Sequence, residues 1–333
     1  MKKWFLVISL ILFGCTEETE KLPIQGPIVE KVATNLNIPW SINLHDNIFY
    51  ISERVGTIAR IQGSTVVHEP VQLSDNLAAI SEAGLLGFVL KPDFDETGEA
   101  YAYYTYDMNG EPFNRVVTIK REDGQWQEIV IHLDSIVTGN IHHGGRLEIG
   151  PDGLLYVTVG DAGIPSNAQD PSSLNGKILR MKDDGSFEIF SMGHRNPQGL
   201  AWDEDGTLFE AEHGQSANDE INLVEQGKNY GYPIIEGDET EEGLESPIIT
   251  SGSDETWAPS GITFHEGKLY VATLRGESVK VMNIETGEIE QSITGFGRVR
   301  DVFSDGKSLY FVTNNTDGRG TPSEDDDVLY RLE

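Results

Sequence analysis

GLLYVTVG, residues 153–160, follows a Pro-Asp-Gly turn and runs through Leu155 and Tyr156 into β-branched residues. It reads as a turn that feeds a strand. The same phrase returns as NIFYIS (47–52), EAYAYY (99–104), GTLFEAEHG (206–214), GKLYVATL (267–274) and KSLYFVTN (307–314). Its aromatics, Tyr50, Tyr101, Tyr156, Phe209, Tyr270 and Tyr310, stand 51, 55, 53, 61 and 40 residues apart, and five of the six follow a Leu or Phe. A blade of four short strands with its loops fills about 40–50 residues. One such phrase is chance, because Asp-Gly before a strand is common in any β protein. Six at near-regular spacing predict an all-β chain folded as a six-bladed β-propeller.

Composition agrees. The 333 residues include 36 glycines, and no convincing amphipathic helix is found after residue 14. Length alone fits one or two domains, and propellers run long as single ones. The N-terminus stands apart. Lys2 and Lys3 precede an apolar run from Trp4 to Phe13 that ends in Gly14-Cys15. Basic residues, a short apolar core and a small residue before the cut describe a secretory signal, too short to span a bilayer. The pattern resembles the bacterial lipoprotein signal, in which the cysteine becomes the lipidated N-terminus, and Cys15 is the only cysteine in the chain. The expected organisation is therefore a signal peptide at 1–14, an acidic tether at 15–27 and a propeller at 28–333. The protein would be an exported lipoprotein that meets a membrane only through its anchor, and disulfides play no part in its folding.

Acidic residues outnumber basic ones 55 to 24, for a formal net charge of −31. Such a chain has no electrostatic footprint for nucleic acid and is repelled by anionic lipid. Its acidic runs at 236–242 and 324–327 read as solvated loops.

Four segments carry more polarity than a plain blade needs. HHGGRLEIGPDG (142–153) sets imidazoles beside a chain able to approach a ligand closely; a surface histidine pair is the simpler reading of those two residues alone. GHRNPQG (193–199) offers a fixed cation, an amide and a rigid bend, or a structural turn with an ion pair. EHGQSANDEINL (212–223) presents backbone carbonyls near Gly214, hard oxygen ligands that suit calcium, while Asp219 and Glu220 read as partners for nearby backbone. Arg275, Arg298 and Arg300 are basic residues in an acidic chain. Alternation along a strand puts Arg298 and Arg300 on one face, where they point to an anionic ligand or to neighbouring carboxylates.

In the order in which they occur, PWSINLHDNIFYISERVGTIARI, GLLGFVLKPDF, HHGGRLEIGPDGLLYVTVGD, GKILRMKDDG, GHRNPQGLAWDEDG, EHGQSANDEINLVEQGKNYGYP, WAPSGITF and RVRDV make the chain similar to the soluble glucose/sorbosone dehydrogenase family from about Val32 to Leu332. The resemblance implies a six-bladed propeller that oxidises an aldose at its anomeric carbon. It implies pyrroloquinoline quinone and calcium as cofactors, and an external electron acceptor. Carried over residue by residue, it makes His142 the catalytic base, with Arg195 and Asn196 beside it and His213 at the cofactor. Arg275, Arg298 and Arg300 become anchors for the quinone carboxylates. The carbonyls of Gly214 and Gln215 become calcium ligands, Gln215 standing where the family has proline. Glu82 and Asp161 fall near the substrate. Other readings stay open: a calcium-dependent propeller lactonase or esterase, a glycan- or protein-binding propeller, or a zinc site from His142, His194 and His213.

Overall fold

The computed structural model describes residues 28–333 together with Met1. The expected signal peptide, the tether and Cys15 lie outside the described residues. Within them the chain is almost wholly β: 24 strands, one four-residue helix at Phe94–Thr97 and a 3₁₀ turn at Pro165–Gln169.

The strands form four sheets of four and one sheet of eight. The expectation of six separate units thus meets five hydrogen-bonded sheets. The eight-stranded sheet consists of two antiparallel meanders, residues 39–72 and 85–137, whose outermost strands pair in parallel over Val71 with Trp126 and Gln72 with Gln127. Each repeated aromatic falls on the second strand of its meander, for example Tyr50 on Ile48–Glu53 and Tyr310 on Leu309–Thr313. Alternation explains the phrase, because successive side chains face opposite sides of a strand. Phe49 packs with Ile42 and Val312, while Tyr50 packs with Phe88, Phe94 and Trp126. Trp126, wholly buried, meets Phe88 and Tyr50 edge-on, with centroids 5.3 and 6.1 Å away.

The innermost strands pack against one another in ring order: Pro39–His45, Leu85–Leu90, Leu147–Ile149, Pro197–Trp202, Pro259–His265 and Val299–Ser304, the last returning to the first. The chain ends close the ring. Val29–Ala33 adds the outer strand to the sheet that Val299–Ser304 begins, pairing Val29 with Leu332 and Lys31 with Tyr330.

Five inner strands carry a register shift near their start, at Pro39/Ile42, Leu85/Phe88, Pro197/Gly199, Pro259/Ile262 and Val299/Asp301. An extra residue at a bulge re-aims side chains and tightens the local twist. The ring is narrow here. A Cβ added to Gly261 would stand 1.6 Å from Asp301 Oδ1, so only glycine fits beside that carboxylate.

Removing residues 28–33 uncovers the edge of Leu329–Leu332 and opens the ring. The truncated protein is expected to melt at least about 5 °C lower than the full chain and to aggregate more readily. Unchanged melting would show that the closing strand contributes little.

Candidate active site

The shifted starts of the inner strands gather at one end of the ring. Trp40, Leu86, Gln198 and Arg300, each from such a start, line a cavity of about 270 Å3 with Arg54, Glu82 and His213. A neighbouring space of about 470 Å3 is lined by Arg275, Arg298 and Ala258, and His213, Leu274 and Arg319 border both.

Charge is distributed unevenly. In a chain of net charge −31, five arginines meet at this mouth: Arg54, Arg275, Arg298, Arg300 and Arg319. Arg298 is paired, its Nε and Nη2 reaching Asp317 Oδ2 at 3.2 and 2.8 Å. Arg300 is not. It donates to two neutral groups, Gln198 Oε1 at 2.7 Å and Ser260 Oγ at 3.2 Å, and has no carboxylate partner among the described residues. Burial pushes its guanidinium down to about 9, and Arg54 and Arg298 add to the effect. Trp40 offers its ring to Arg300 at 5.7 Å and to Arg146 at 4.4 Å. At the cavity the buried Arg300 Nε and His213 Nε2 have no partner, and neither has Arg195 Nε on the loop bonded to the His213 carbonyl. Buried polar atoms are normally satisfied, so the free Arg300 Nε–H, among the other arginines of this mouth, fits a ligand rich in anionic acceptors. Burial holds His213 neutral at ordinary pH, its imidazole pushed down to about 4.

The histidine segment is held from behind. His142 sits in the left-handed region, φ 63°, and its Nδ1 meets Asp161 Oδ1 at 2.7 Å. The same oxygen accepts Gly163 N–H at 2.7 Å, and the Asp161 carboxylate is wholly buried. A carboxylate on Nδ1 leaves Nε2 as the free nitrogen, the arrangement that prepares a general base. Asp161 therefore stands behind His142, on the Nδ1 side of the ring. The loop from Gly160 returns it toward the histidines, because Gly144 and Thr158 belong to one tight crossing. His143 is no substitute base: its Nδ1 meets Thr138 Oγ1 and its Nε2 meets the Ser81 carbonyl.

Glu82, also in the left-handed region at φ 64°, accepts the His142 N–H on Oε2 at 3.2 Å. Burial would raise its carboxyl, but Arg319 and the His142 N–H hold it down to about 2. Arg195 and Asn196 tie the third segment in. Asn196 Oδ1 accepts Gly144 N–H at 3.1 Å, Arg195 Nη1 reaches the His213 carbonyl at 3.0 Å, and the Arg195 carbonyl accepts Asp161 N–H at 2.8 Å. Asp219 serves the backbone, as its sequence context suggested. It accepts Gly214 N–H at 2.9 Å, Ala258 N–H at 2.8 Å and Trp257 N–H, so one carboxylate ties the start of the Gly214–Gln215 turn to Trp257 and Ala258. Neither carbonyl of that turn accepts a hydrogen bond among the described residues, which leaves both open as hard oxygen donors. Arg275 is exposed at the rim. The zinc alternative fails at His194, whose Nε2 meets Ser191 Oγ and whose Nδ1 meets Glu212.

Trp40, Arg54 and Arg319 were not anticipated, and Gln198 was only part of the GHRNPQG segment, without a role of its own; the ring brings them together.

Beneath GHRNPQG lies a buried acid cluster. Glu212 Oε2 accepts Arg195 N–H at 2.5 Å and Asn196 N–H at 3.3 Å, and so holds that loop. Glu210 and Glu220 share the Asn222 amide with it. His194, Glu210 and Glu212 lie within 4.8 Å of one another, near enough for a small cation, though His194 is already bonded to Glu212. Burial, then the charge on Glu212, raises Glu210 far above the usual carboxylate range and Glu220 to about 8. Folding thus binds protons that the unfolded chain releases above about 4.3. Stability from these two groups is present at low pH and falls as pH rises toward 8. Glu210→Gln is expected to flatten the melting temperature between pH 5 and 8 and to exceed the unmodified protein at pH 8. Parallel melting curves for the two proteins would contradict the assignment of a proton to Glu210.

The chain is similar to known sugar dehydrogenases. The sequence model of the family described as Glucose / Sorbosone dehydrogenase matches residues 36–330. The structure of the PQQ-bound form of aldose sugar dehydrogenase from Streptomyces coelicolor is 35% identical, with a TM-score of 0.82, covering 92% of this chain and 98% of that one. An aldose sugar dehydrogenase of Escherichia coli K12 is 29% identical over 338 residues, 87% of this chain and 91% of its own. Quinoprotein glucose dehydrogenase B of Acinetobacter calcoaceticus is 32% identical over 258 residues, 64% of this chain but only 53% of its own.

Proposed function

The chain belongs to the glucose/sorbosone dehydrogenase family, and we propose that it is a quinoprotein aldose dehydrogenase dependent on pyrroloquinoline quinone and calcium. The observation that carries this reading is Arg300, a buried guanidinium with no carboxylate partner among the described residues, lining one cavity with Glu82, whose carboxylate accepts the His142 N–H. A tricarboxylate quinone fits the unpartnered guanidinium donors Arg300 Nε and Arg195 Nε, with His213 Nε2 open beside them. A propeller hydrolase or a glycan-binding module has no use for them. Counting the eight-stranded sheet as two blades, as its two meanders and the ring of inner strands favour, gives a six-bladed propeller.

Arg275, Arg298 and Arg300 would hold the quinone carboxylates, with Asn196 and His213 along its edge. The chemistry the quinone supplies when bound is acceptance of a hydride from the sugar's anomeric carbon. His142 Nε2 takes the proton of the anomeric hydroxyl, and Asp161 holds the ring in place and offsets the charge it gains. Arg195 would face the oxygen on which negative charge develops. The carbonyls of Gly214 and Gln215 would hold calcium, a hard cation that prefers oxygen ligands. Glu82 would receive a sugar hydroxyl. The sugar leaves as a lactone, and an external acceptor takes the electrons.

We further propose export as a lipoprotein anchored at Cys15. Val29 pairs with Leu332, which lies level with Leu309 at the end of the ring away from Arg298. A tether ending there would turn the mouth away from the membrane.

Purified protein supplied with quinone and calcium is expected to reduce a dye when given an aldose from a sugar panel, and chelation is expected to abolish the activity. Zinc should not restore it, since paired carbonyl oxygens do not suit a soft-tolerant tetrahedral ion. Activity in calcium-free protein would count against the Gly214–Gln215 site. His142→Ala should lower turnover by a factor on the order of 10² or more while leaving quinone binding nearly intact. Unchanged turnover would remove His142 as the base.

A further inference from the structure

Arg319 spans the mouth. It leaves the loop after Leu309–Thr313 and reaches Glu82 Oε1 at 2.9 Å and Ser81 Oγ at 3.0 Å, on the loop before Leu85–Leu90. Its side chain borders both cavities. The loop beneath it is fixed: Asp317 accepts Arg319 N–H on Oδ1 at 2.8 Å and Arg298 on Oδ2, and a Cβ on Gly320 would stand 3.0 Å from Arg298 Cδ. The guanidinium itself is half exposed, at 51% of its side-chain surface, against 24% for Glu82. Arg319 is thus a long cation on a rigid base, joined to its partner by a pair that solvent reaches from the arginine side.

Glu82 has two oxygens with separate tasks. Oε2 takes the His142 N–H and supports the base, whereas Oε1 has no partner but Arg319 among the described residues. Whatever draws Arg319 away leaves Oε1 facing the cavity with its acceptor capacity free.

Building on the quinone reading above, we propose that Arg319 exchanges partners. Without cofactor it pairs with Glu82; when the quinone enters, it turns to a cofactor carboxylate as a fourth arginine anchor and releases Glu82 Oε1 for a sugar hydroxyl. The exchange replaces a partly exposed pair with one in a mouth that already holds Arg298 and Arg300, where a dianionic or trianionic ligand relieves their mutual repulsion. It also orders the events, because Glu82 becomes available to sugar only after the cofactor is seated.

The test is quinone binding to calcium-loaded protein, followed by tryptophan fluorescence without sugar, so that turnover plays no part. Glu82→Gln removes the competitor for Arg319 and is expected to bind quinone roughly three- to tenfold more tightly than the unmodified protein. Arg319→Ala should bind it roughly tenfold more weakly, with Arg319→Lys in between. The double variant Arg319→Ala/Glu82→Gln should match Arg319→Ala alone, since the gain from Glu82→Gln acts only through Arg319. Melting temperatures check that each variant is folded. If Arg319 is instead a fixed strut, the two single variants weaken binding together or leave it unchanged, and either result overturns the exchange while sparing the quinone reading. Absence of saturable binding to the unmodified protein overturns both.

Discussion

Arg300 is the constraint on which the mouth of this propeller depends. Burying a guanidinium without a carboxylate is costly unless something else compensates for the lost water. The fold supplies partial compensation from Gln198, Ser260 and the face of Trp40. Arg54 and Arg298 stand near enough to push its guanidinium downward, so the site resists its own charge. A chain with 55 acidic residues had ample means to neutralise this cluster and does so at Arg298, through Asp317, but not at Arg300. The imbalance leaves the energy of pairing to an incoming anion.

The backbone makes this arrangement attainable. Shifts at the starts of five inner strands turn Trp40, Leu86, Gln198, Ser260 and Arg300 toward one place. The next residue in each is small or tightly held: Ser41, Gly87, Gly199, Gly261 and Asp301. Gly261 gives Asp301 room to accept Ile42 N–H at 2.8 Å and to meet Arg146 at 3.2 Å. Packing around the axis and placement of ligand donors therefore come from the same few residues. Changes there are expected to affect stability and binding together.

Much of this was legible in the sequence. The aromatic phrase marks the second strand of every meander because alternation makes that strand serve two cores at once. The parallel pairing of Val71–Gln72 with Trp126–Gln127 left no signal, since two edge residues carry no periodicity. His142, Arg195, Asn196, Arg275, Arg298 and Arg300 were given roles through family likeness, while composition alone left each with a plain alternative. The sequence placed Asp161 near the substrate but not its contact with His142, because a carboxylate at the end of VGD can point forward or back. Arg319 was missed because its partner, Glu82, is 237 residues away. A weaker repeat was present all along: PWS, PQG, PSG and VRD lie nine or ten residues before their aromatics, counted from the third residue of each. It marks the strand starts that build the mouth.

The central claim is that the arginine mouth exists to seat a tricarboxylate quinone beside His142. A crystal structure of the protein soaked with quinone and calcium tests it most directly. The account predicts quinone carboxylates within hydrogen-bond reach of Arg298 and Arg300, and calcium on the carbonyls of Gly214 and Gln215. A quinone bound elsewhere, or Arg300 still paired only with Gln198 and Ser260 at saturating quinone, would contradict it.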